Sequence, residues 1–531
     1  MSTPPPASQR SWRAACPNCG APVEFRSPAS ASAVCSFCRS TLVREGEALR
    51  KIGQSAELFD DFTPLQLGAS GRYAGEGFVL VGRLQFGTED GPWNEWHALF
   101  DNGRDGWLSE DNGRHVFAFD LPVPAGAPDP AQLQPGSRAF VDGRAWNVGS
   151  RVQARLLAAE GELHEPPPAD RPFTIVDLRN ESGEVATLDA SLAPRLQWSV
   201  GRPVQLSELK MQGLREASEK TLQSQAPACP SCGAPLAITL STSQSVVCGS
   251  CKSVVDLSKG IGPDMAHYAQ ENRYEPEIPI GATGTLPTTR GATPLPWTVV
   301  GYMERIELAS GGDGEAEAWR EYLLYNRNEG FAFLVDTNED WSLVRTLTGA
   351  PRVAGDRATW AGRDYTRRWT YDSTVTYVLG EFYWRVEAHQ RTRHQDFEAS
   401  ASGYRALLSL ESTAAESLWS AGETLPAELV AQAFRLAAPQ AARLERAGPP
   451  AGGLDIGGFR VSWLMLIVLL VVVILLLAMC SHDSCAGVRK AYGDASPEYQ
   501  QCRIRQAAGT GYYAGTGGAW GGYSSGGGGH K

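Results

Sequence analysis

A four-cysteine motif occurs twice in this chain at one spacing. Both copies read C-x2-C-x15-C-x2-C, and their cysteines are Cys16, Cys19, Cys35 and Cys38, then Cys229, Cys232, Cys248 and Cys251. This spacing is typical of a zinc ribbon, in which two CxxC knuckles supply four thiolates to one tetrahedral ion. Because protein would fill all four positions, we expect two structural zinc ions with no position for an activated water.

The CxxC pairs have one chemical alternative, which is thiol redox activity. Two matched knuckles without the helix start of a thioredoxin-like site disfavour it. The knuckles also differ in one residue, since ribbon 1 has Phe37 where ribbon 2 has Ser250. We expect the Phe37 ring to pack against its knuckle, with contact to a partner protein as the alternative.

The duplication continues beyond the ribbons. Gly68 and Gly281 each lie 52 residues after the first cysteine of their own copy. Further corresponding pairs are Trp93-Asn-Glu95-Trp96 and Trp319-Arg-Glu321-Tyr322, Asp105-Gly-Trp107 and Glu329-Gly-Phe331, Gly161-Glu162 and Gly380-Glu381, and Trp198-Ser-Val-Gly201 and Trp419-Ser-Ala-Gly422. The chain is therefore a tandem duplication with a short Gly-rich insertion at 310–314 in the second copy.

Within each copy, apolar and polar residues alternate with the period of a strand. Asn102-Gly103 and Asn112-Gly113 tolerate positive φ and predict tight hairpin turns. The pattern predicts a mainly β fold class, with each ribbon followed by a small antiparallel β barrel or sandwich. Helix is predicted only near 207–216 and over 427–447, where Pro439 should interrupt it.

Residues 464–479 contain no polar side chain, and a Gly/Pro-rich linker precedes them. Such a segment predicts a C-terminal transmembrane helix over 463–480, because a helix that is apolar all round lies in lipid or in a protein core. The buried-core alternative is disfavoured by the linker. Beyond the span, Cys485 and Cys502 either form a periplasmic disulfide or remain free thiols on a cytoplasmic tail.

Charge and cysteine usage indicate the compartment and the partners. The formal net charge is −11, and two zinc ions on thiolates would bring it to about −15. Nucleic-acid binding is therefore not expected, since it needs a basic face. Paired CxxC knuckles suit a reducing compartment, and no apolar signal segment opens the sequence. We expect a single-pass protein of the cytoplasmic (inner) membrane, with the bulk of the chain in the cytoplasm.

No GxSxG, HExxH, P-loop or GxGxxG motif occurs in a strand-to-helix setting in the sequence. The best acid/base candidates are Glu95 and Glu321, which aromatic residues flank in both copies, with His97 and Asp101 beside the first. A strand whose aromatics pack and whose glutamate pairs locally explains this pattern more simply. No catalytic residue is therefore assigned.

Several motifs together resemble those of bacterial proteins that carry the uncharacterised domain DUF4178. They are Cys-Pro-x-Cys-Gly-Ala-Pro, Trp-Asn-Glu-Trp, Asp-Gly-Trp-Leu-Ser-Glu-Asp-Asn-Gly-Arg and Gly-Glu-Phe-Tyr-Trp-Arg-Val, and the resemblance covers about residues 10–440. It implies an architecture and no activity. The expected parts are ribbon 1 (10–50), a first β-rich copy (51–218), ribbon 2 (226–259), a second β-rich copy (262–447), a linker (448–462), the transmembrane helix (463–480) and a Gly-rich tail (481–531), of which 509–531 are expected to be disordered.

Three functional hypotheses follow. The first is a membrane-tethered scaffold or adaptor whose ribbons and β domains bind partner proteins, which are unidentified, while residues 463–480 contact the lipid bilayer. Duplication suits that role, because two linked modules raise the effective concentration for a repeated partner. The alternative is an enzyme or ligand sensor that uses a cleft in the duplicated β domains. Nucleic-acid binding through the ribbons is the third and the least favoured.

Overall fold

The computed structural model of the chain shows a mainly β protein, as the alternation predicts. It describes residues 12–27, 30–45, 48–55, 63–88, 92–111, 114–168, 171–215, 227–240, 243–257, 265–270, 275–308, 317–387, 389–401 and 404–445. The strand pairs in these ranges are antiparallel. Most of them join strands that are consecutive in sequence, which agrees with the turn signals in the sequence. Each copy consists of a ribbon followed by a closed barrel.

Copy 1 contains fifteen strands within the described residues. They are β1 (Trp12–Ala15), β2 (Pro22–Phe25), β3 (Ser32–Val34), β4 (Ser40–Glu45), β5 (Ala48–Gln54), β6 (Ser70–Tyr73), β7 (Glu76–Gly87), β8 (Pro92–Phe100), β9 (Asp105–Asp111), β10 (Arg114–Leu121), β11 (Arg138–Val141), β12 (Arg144–Leu163), β13 (Phe173–Arg179), β14 (Val185–Asp189) and β15 (Gln197–Val204). A single 3-10 turn, Pro130–Gln132, precedes β11.

Copy 2 repeats this order and ends in two short helices. Its elements are β16 (Ser245–Val247), β17 (Val254–Asp256), β18 (His267–Tyr268), β19 (Thr283–Leu286), β20 (Leu295–Glu307), β21 (Ala318–Asn326), β22 (Gly330–Asp336), β23 (Trp341–Thr346), β24 (Arg352–Ala354), β25 (Arg357–Trp360), β26 (Arg363–Phe382), β27 (Arg391–Ala401), β28 (Tyr404–Ser412), β29 (Ser417–Leu425), α1 (Ala427–Ala433) and α2 (Ala438–Leu444).

Eight strands close into a barrel in each copy. In copy 1 the order is β12-β13-β14-β15-β10-β9-β8-β7, and β7 pairs again with β12. In copy 2 the order is β26-β27-β28-β29-β23-β22-β21-β20, and β20 pairs again with β26. Closure decides for barrels over the sandwich alternative.

The longest strand of each barrel makes this closure possible. β12 pairs with β13 through its first half and with β7 through its second, and its register shifts between Leu156 and Ala158. A bulge of this kind increases the local twist and bends the strand, so one strand can border both edges of a curled sheet. β26 has the equivalent register shift against β20, between Val375 and Tyr377.

The ribbons are joined to the barrels through the same long strands. The end of β12 pairs with β3, and the end of β26 pairs with β16. The ribbon strands β3, β4 and β5 therefore extend the sheet of barrel 1, and β16, β17 and β18 extend that of barrel 2. Each ribbon and its barrel form one unit whose sheet continues past residues 50 and 259, where the sequence suggested boundaries.

The outer face of each barrel is covered by the segment that follows its last strand. In copy 2 this cover is α1 and α2, where Val430 and Phe434 pack on Trp297, and Trp341 Nε1–H donates to the carbonyl of Leu444 at 2.9 Å. Pro439 lies in the first turn of α2, so the predicted interruption of this helix is confirmed.

In copy 1 the cover is not helical, and the helix predicted near 207–216 is wrong. The segment forms turns, and Lys210 takes a positive φ of 49° directly after Leu209. Leu209 is buried against Phe117 and its neighbours on the outer face of barrel 1. Burial of this side chain outweighs the weak helix propensity of so short a stretch.

Of the predicted turns, Asn102-Gly103 is confirmed: Gly103 has a φ of +81° between β8 and β9. Asn112-Gly113, the insertion at 310–314, the linker at 448–462, the transmembrane helix at 463–480 and the tail at 481–531 lie outside the described residues. Among the residues that the structure does describe, no helix is long and apolar enough to cross a bilayer.

Candidate metal centres and the buried barrel residues

Both four-cysteine groups converge as the spacing predicts. The Sγ atoms of Cys16 and Cys38 lie 3.7 Å apart, as do those of Cys19 and Cys35. In ribbon 2 the corresponding separations are 3.8 and 3.7 Å. Four sulfurs at about 2.3 Å from one ion in a tetrahedron are about 3.8 Å apart, so each group is positioned to bind a metal ion.

The local backbone brings the sulfurs together in the same way in both ribbons. After the first knuckle, the N–H of Gly20 donates to the carbonyl of Cys16 at 2.8 Å, and Gly20 takes a φ of +75°. Gly233 does the same in ribbon 2, also at +75°. Glycine adopts this conformation without steric cost, which explains the Cys-Gly sequence at both sites.

A serine beside the second knuckle favours the thiolate form. The Oγ atom of Ser40 lies 3.2 Å from Cys38 Sγ, and its hydroxyl and then its backbone N–H lower the pKa of Cys38 to about 5. Ser253 lowers the pKa of Cys251 to about 6 through the same two groups. A lowered thiol pKa suits metal ligation, because the thiolate is the ligand.

Phe37 does not pack against its knuckle as we expected. Its ring is 73% exposed, the largest exposure of any large apolar side chain in the described residues. The ribbon core forms from Val23, Phe25 and Leu42 together with the buried cysteines, and Phe37 is not part of it. Because this small core is filled without Phe37, the ring remains in solvent.

The duplicated Gly-Glu motif fixes each ribbon to its barrel. The carboxylate of Glu162 accepts the backbone N–H groups of Arg26 at 2.6 Å and Ser27 at 2.7 Å. Glu381 accepts those of Thr239 at 2.8 Å and Leu240 at 2.9 Å. Both carboxylates are buried, so each bond links a barrel strand to ribbon backbone away from water.

The preceding glycines make this approach possible. Gly161 has a φ of +72°, and a Cβ atom there would lie 2.3 Å from the carbonyl oxygen of Val81. At Gly380 the φ is +83°, and the corresponding distance to Val300 O is 2.2 Å. The sequence showed these motifs as part of the duplication, but their role in docking depends on contacts about 140 residues away.

We expect Glu162→Gln to loosen ribbon 1. A glutamine has a single acceptor oxygen and would place an amide NH2 against a backbone N–H, which should cost about 1–3 kcal/mol. Hydrogen exchange of residues 12–55 should then become faster, while barrel strands such as β8 keep their protection. Glu165→Gln is the matched control, since that carboxylate is partly exposed and pairs with Arg195 on the surface. Equal protection in both variants would show that Glu162 does not dock the ribbon.

Glu95 and Glu321 occupy equivalent positions inside the two barrels. Glu95 is 3% exposed, and Trp93 Nε1–H points to its carboxylate at 3.4 Å. Glu321 is 2% exposed and accepts the Nε1–H of Trp319 at 2.7 Å. The local pairing expected from the sequence is therefore present in both copies, and Asp101 lies apart from it in the β8–β9 turn.

The surroundings of the two glutamates differ. Phe86 pairs with Trp93 in barrel 1, whereas Arg305 pairs with Trp319 at the same place in barrel 2. Arg305 is fully buried, and its Nη1 lies 3.7 Å from Glu321 Oε1 and 3.7 Å from Glu411 Oε2. Burial raises the pKa of Glu411 to about 8 despite the attraction of Arg305. Barrel 2 thus contains a buried charged cluster.

His97 forms part of a second polar cluster, which copy 2 does not repeat. Its ring lies between the carbonyl of Glu162, at 2.9 Å, and Asp105 Oδ1, at 2.7 Å. The other oxygen of Asp105 lies 3.2 Å from His164 Nδ1. Burial alone would raise the pKa of Asp105, but His164 and then His97 lower it below its ordinary range, and Asp105 raises the pKa of His164.

The sequence analysis named His97 and Asp101 beside Glu95 and did not single out Asp105. In the β8–β9 hairpin, Trp107 lies directly opposite His97, and Asp105 lies opposite Leu99. Asp105 therefore reaches His97 diagonally across the two strands. Copy 2 has Leu323, Glu329 and Tyr383 at the positions of His97, Asp105 and His164. The cluster is therefore particular to copy 1. Comparing the two copies position by position could have indicated this difference from the sequence.

The two barrels also touch each other. The N–H of Ala350 donates to Asn180 O at 3.1 Å, and Arg179 Nη1 donates to Leu347 O at 3.2 Å. Beside these contacts lies a cavity of about 280 Å³ that residues of both copies line. Neither Glu95 nor Glu321 is among the residues that line this cavity.

Comparison with known proteins gives one match. The family model described as "Domain of unknown function (DUF4178)" matches residues 66–206 and 288–427. These ranges cover β7–β15 and β20–β29, which are the two barrels, and the ribbons lie before each match. No curated protein and no solved structure matches the chain. With more than half of its length matched, the chain belongs to the DUF4178 family and carries two copies of that domain in tandem.

Proposed function

We propose that this protein is a membrane-tethered zinc-ribbon scaffold that binds partner proteins at the cytoplasmic face of the inner membrane. In this proposal the helix at 463–480 provides the anchor, and both ribbons hold structural zinc. Zinc is the ion that best suits four thiolates in a tetrahedron in a reducing compartment. In this proposal the ribbons form the surface that binds partner proteins, and the barrels hold that surface in position.

The observation that carries the proposal is the exposure of Phe37. Aromatic side chains are enriched at protein interfaces, because a ring can bury a large apolar area when a partner binds. Phe37 lies inside the second knuckle, between Cys35 and Cys38, where the metal would hold the backbone rigid. A rigid aromatic loses little conformational entropy on binding, which favours it as an anchor for a partner.

Ribbon 2 supports a division of labour. Ser250 replaces Phe37 there, while the cysteine geometry and the Glu381 contacts are kept. The second ribbon therefore retains the fold without the aromatic contact. In this proposal ribbon 1 binds the partner, and the second copy supports its placement near the membrane.

Site-specific photocrosslinking tests the proposal. A benzophenone side chain at position 37 of the full-length chain, irradiated in native membranes, should crosslink a reproducible set of proteins. Phe37→Ser, the residue that ribbon 2 carries, should reduce affinity capture of that set by about tenfold or more. Deletion of 463–480 should release the chain from the membrane fraction and reduce the same set.

The matched control is Phe140 on the edge strand β11, whose ring is 72% exposed. Phe140→Ser removes a similar exposed apolar area from a barrel instead of a ribbon. A benzophenone at position 140 is exposed to solvent to the same degree as one at position 37. The scaffold proposal fails if positions 37 and 140 crosslink the same proteins, or if Phe37→Ser leaves capture unchanged. Capture of RNA or DNA that disappears as salt rises would support the nucleic-acid alternative.

The enzyme alternative gains little from Glu95 and Glu321. Both lie inside barrels, each bonded by the tryptophan two residues before it on its own strand. A general acid or base must reach its substrate within hydrogen-bond distance, and burial of this degree leaves no approach from solvent. Pairing within the barrel core explains the pattern in both copies.

A further inference from the structure

The cavity between the barrels has cationic groups from both copies at its wall. Arg114 and His115 come from the start of β10 in barrel 1, and Arg345 comes from the end of β23 in barrel 2. The cavity volume of about 280 Å³ equals that of about nine water molecules at about 30 Å³ each. A small molecule of roughly a dozen non-hydrogen atoms fits that volume.

Each arginine is held by one carboxylate through a single nitrogen. Arg114 Nη2 lies 3.3 Å from Asp111 Oδ2, and Arg345 Nη2 lies 3.0 Å from Glu329 Oε2. Among the described residues, the Nε and Nη1 groups of these two arginines have no hydrogen-bond partner. A guanidinium has five N–H donors, so both side chains are oriented while donors remain for a ligand.

His115 adds a buried donor or acceptor without a partner. The residue is 8% exposed, and no hydrogen bond to its Nε2 is present in the part of the chain that the structure describes. Glu110 Oε1 lies 3.8 Å from this nitrogen, which is an ion-pair distance but too far for a hydrogen bond. Glu110 is already bonded by Thr63 Oγ1 and by Trp96 Nε1. A buried nitrogen left in this state calls for a ligand or water.

The two carboxylates that line the cavity already bind neighbouring groups of the protein. Glu329 orients Arg345, and Glu208 accepts the backbone N–H of Gln205 at 3.2 Å. The rest of the wall is mixed: polar residues lie beside an aromatic pair, in which the ring centroids of Phe331 and Tyr383 are 4.3 Å apart. The cavity therefore combines oriented cations with an aromatic surface.

We propose that this cavity binds a small ligand that carries a phosphate or carboxylate group on an apolar body. The oxyanion lies between Arg114, His115 and Arg345, where charge-assisted hydrogen bonds are strongest, and the apolar part contacts Phe331 and Tyr383. Because the site takes residues from both barrels, binding holds the two copies together. This ligand site is independent of the partner contact at Phe37.

Titration of the full-length chain with phenyl phosphate, benzoate and inorganic phosphate tests the proposal by isothermal calorimetry at low salt. Phenyl phosphate or benzoate should bind saturably with a Kd below about 1 mM, and inorganic phosphate should bind more weakly because it lacks the apolar part. Preference between the first two identifies the anionic group. Arg345→Gln and Arg114→Gln should each weaken binding by about tenfold or more.

Arg368→Gln is the matched control, because Arg368 pairs with Glu398 on the surface of barrel 2 away from the cavity. It should change the Kd by less than about twofold. If Arg345→Gln does not fold, Arg345→Lys, which keeps the charge and loses the planar fork, must still weaken binding. The proposal is overturned if no probe saturates up to about 10 mM, or if the cavity variants bind as the control does.

Discussion

Replacing Cys16 and Cys19 by serine is expected to abolish metal binding in ribbon 1 and to unfold that ribbon, while barrel 1 stays folded. Ribbon 1 has a core of only a few buried side chains, among them Val23, Phe25 and Leu42. A structural zinc site supplies about 10–16 kcal/mol in small zinc domains, which is far more than such a core provides. Without the ion, contacts among four neighbouring thiols contribute little free energy to keep the two knuckles together.

Metal content and hydrogen exchange measure this prediction together. The wild-type chain should hold two metal ions, one for each four-cysteine group, and the variant should hold one. Protection of residues 12–55 should be lost in the variant, and ribbon 2 should be unaffected. Cys229→Ser with Cys232→Ser should give the opposite pattern. Two ions in the ribbon 1 variant, or a protected ribbon without metal, would contradict the assignment of these ligands.

The ribbons could be predicted from the sequence because their determinants are local. Cysteine spacing, the glycine after the first knuckle and the repeat of both 213 residues later indicate the same structure at each level. The equivalence of Glu95 and Glu321 could also be predicted from the sequence, because duplicated motifs occupy matching positions in the two barrels. Barrel closure was left open, since the pairing of β12 with β7 joins Arg155 to Gly87 and Gly161 to Gly82, and no single hairpin turn connects these two strands.

Phe37 was predicted wrongly for a related reason. Its neighbours in sequence are knuckle residues, but whether a ring packs or stays exposed depends on how many side chains fill the ribbon core. The docking role of Glu162 and the polar cluster around His164 were missed because their partners, Arg26 and Asp105, lie far along the chain. In β proteins of this kind, the side chains that determine the core contact residues that sequence proximity does not indicate.

Arg305 is the clearest case, and its replacement should have the second large effect. An arginine within Met303-Glu-Arg-Ile suggests an exposed strand position, yet Arg305 is completely buried beside Glu321 and Glu411. Arg305→Met should destabilise barrel 2 by about 3–5 kcal/mol, because it leaves Glu321 buried without its counter-charge. Thermal or denaturant unfolding of the full-length chain measures the loss.

The pH dependence distinguishes this electrostatic cause from a packing defect. Burial raises the folded pKa of Glu411 to about 8, above its unfolded value of about 4.3, so this group lowers stability as the pH rises from about 4 to 8. Removing Arg305 should raise the folded pKa of Glu321 in the same direction. The deficit of Arg305→Met should therefore shrink as the pH falls towards about 4, where both carboxyls become neutral.

A second change should restore most of the loss. Arg305→Met combined with Glu321→Gln removes both charges and keeps an oxygen that can accept the Nε1–H of Trp319, so the double variant should be more stable than Arg305→Met alone. Arg195→Met, which breaks an exposed pair with Glu165, is the control and should cost less than about 1 kcal/mol. A deficit that is constant with pH and unchanged by Glu321→Gln would mean that Arg305 acts through its packing volume, since a cavity costs the same at every pH.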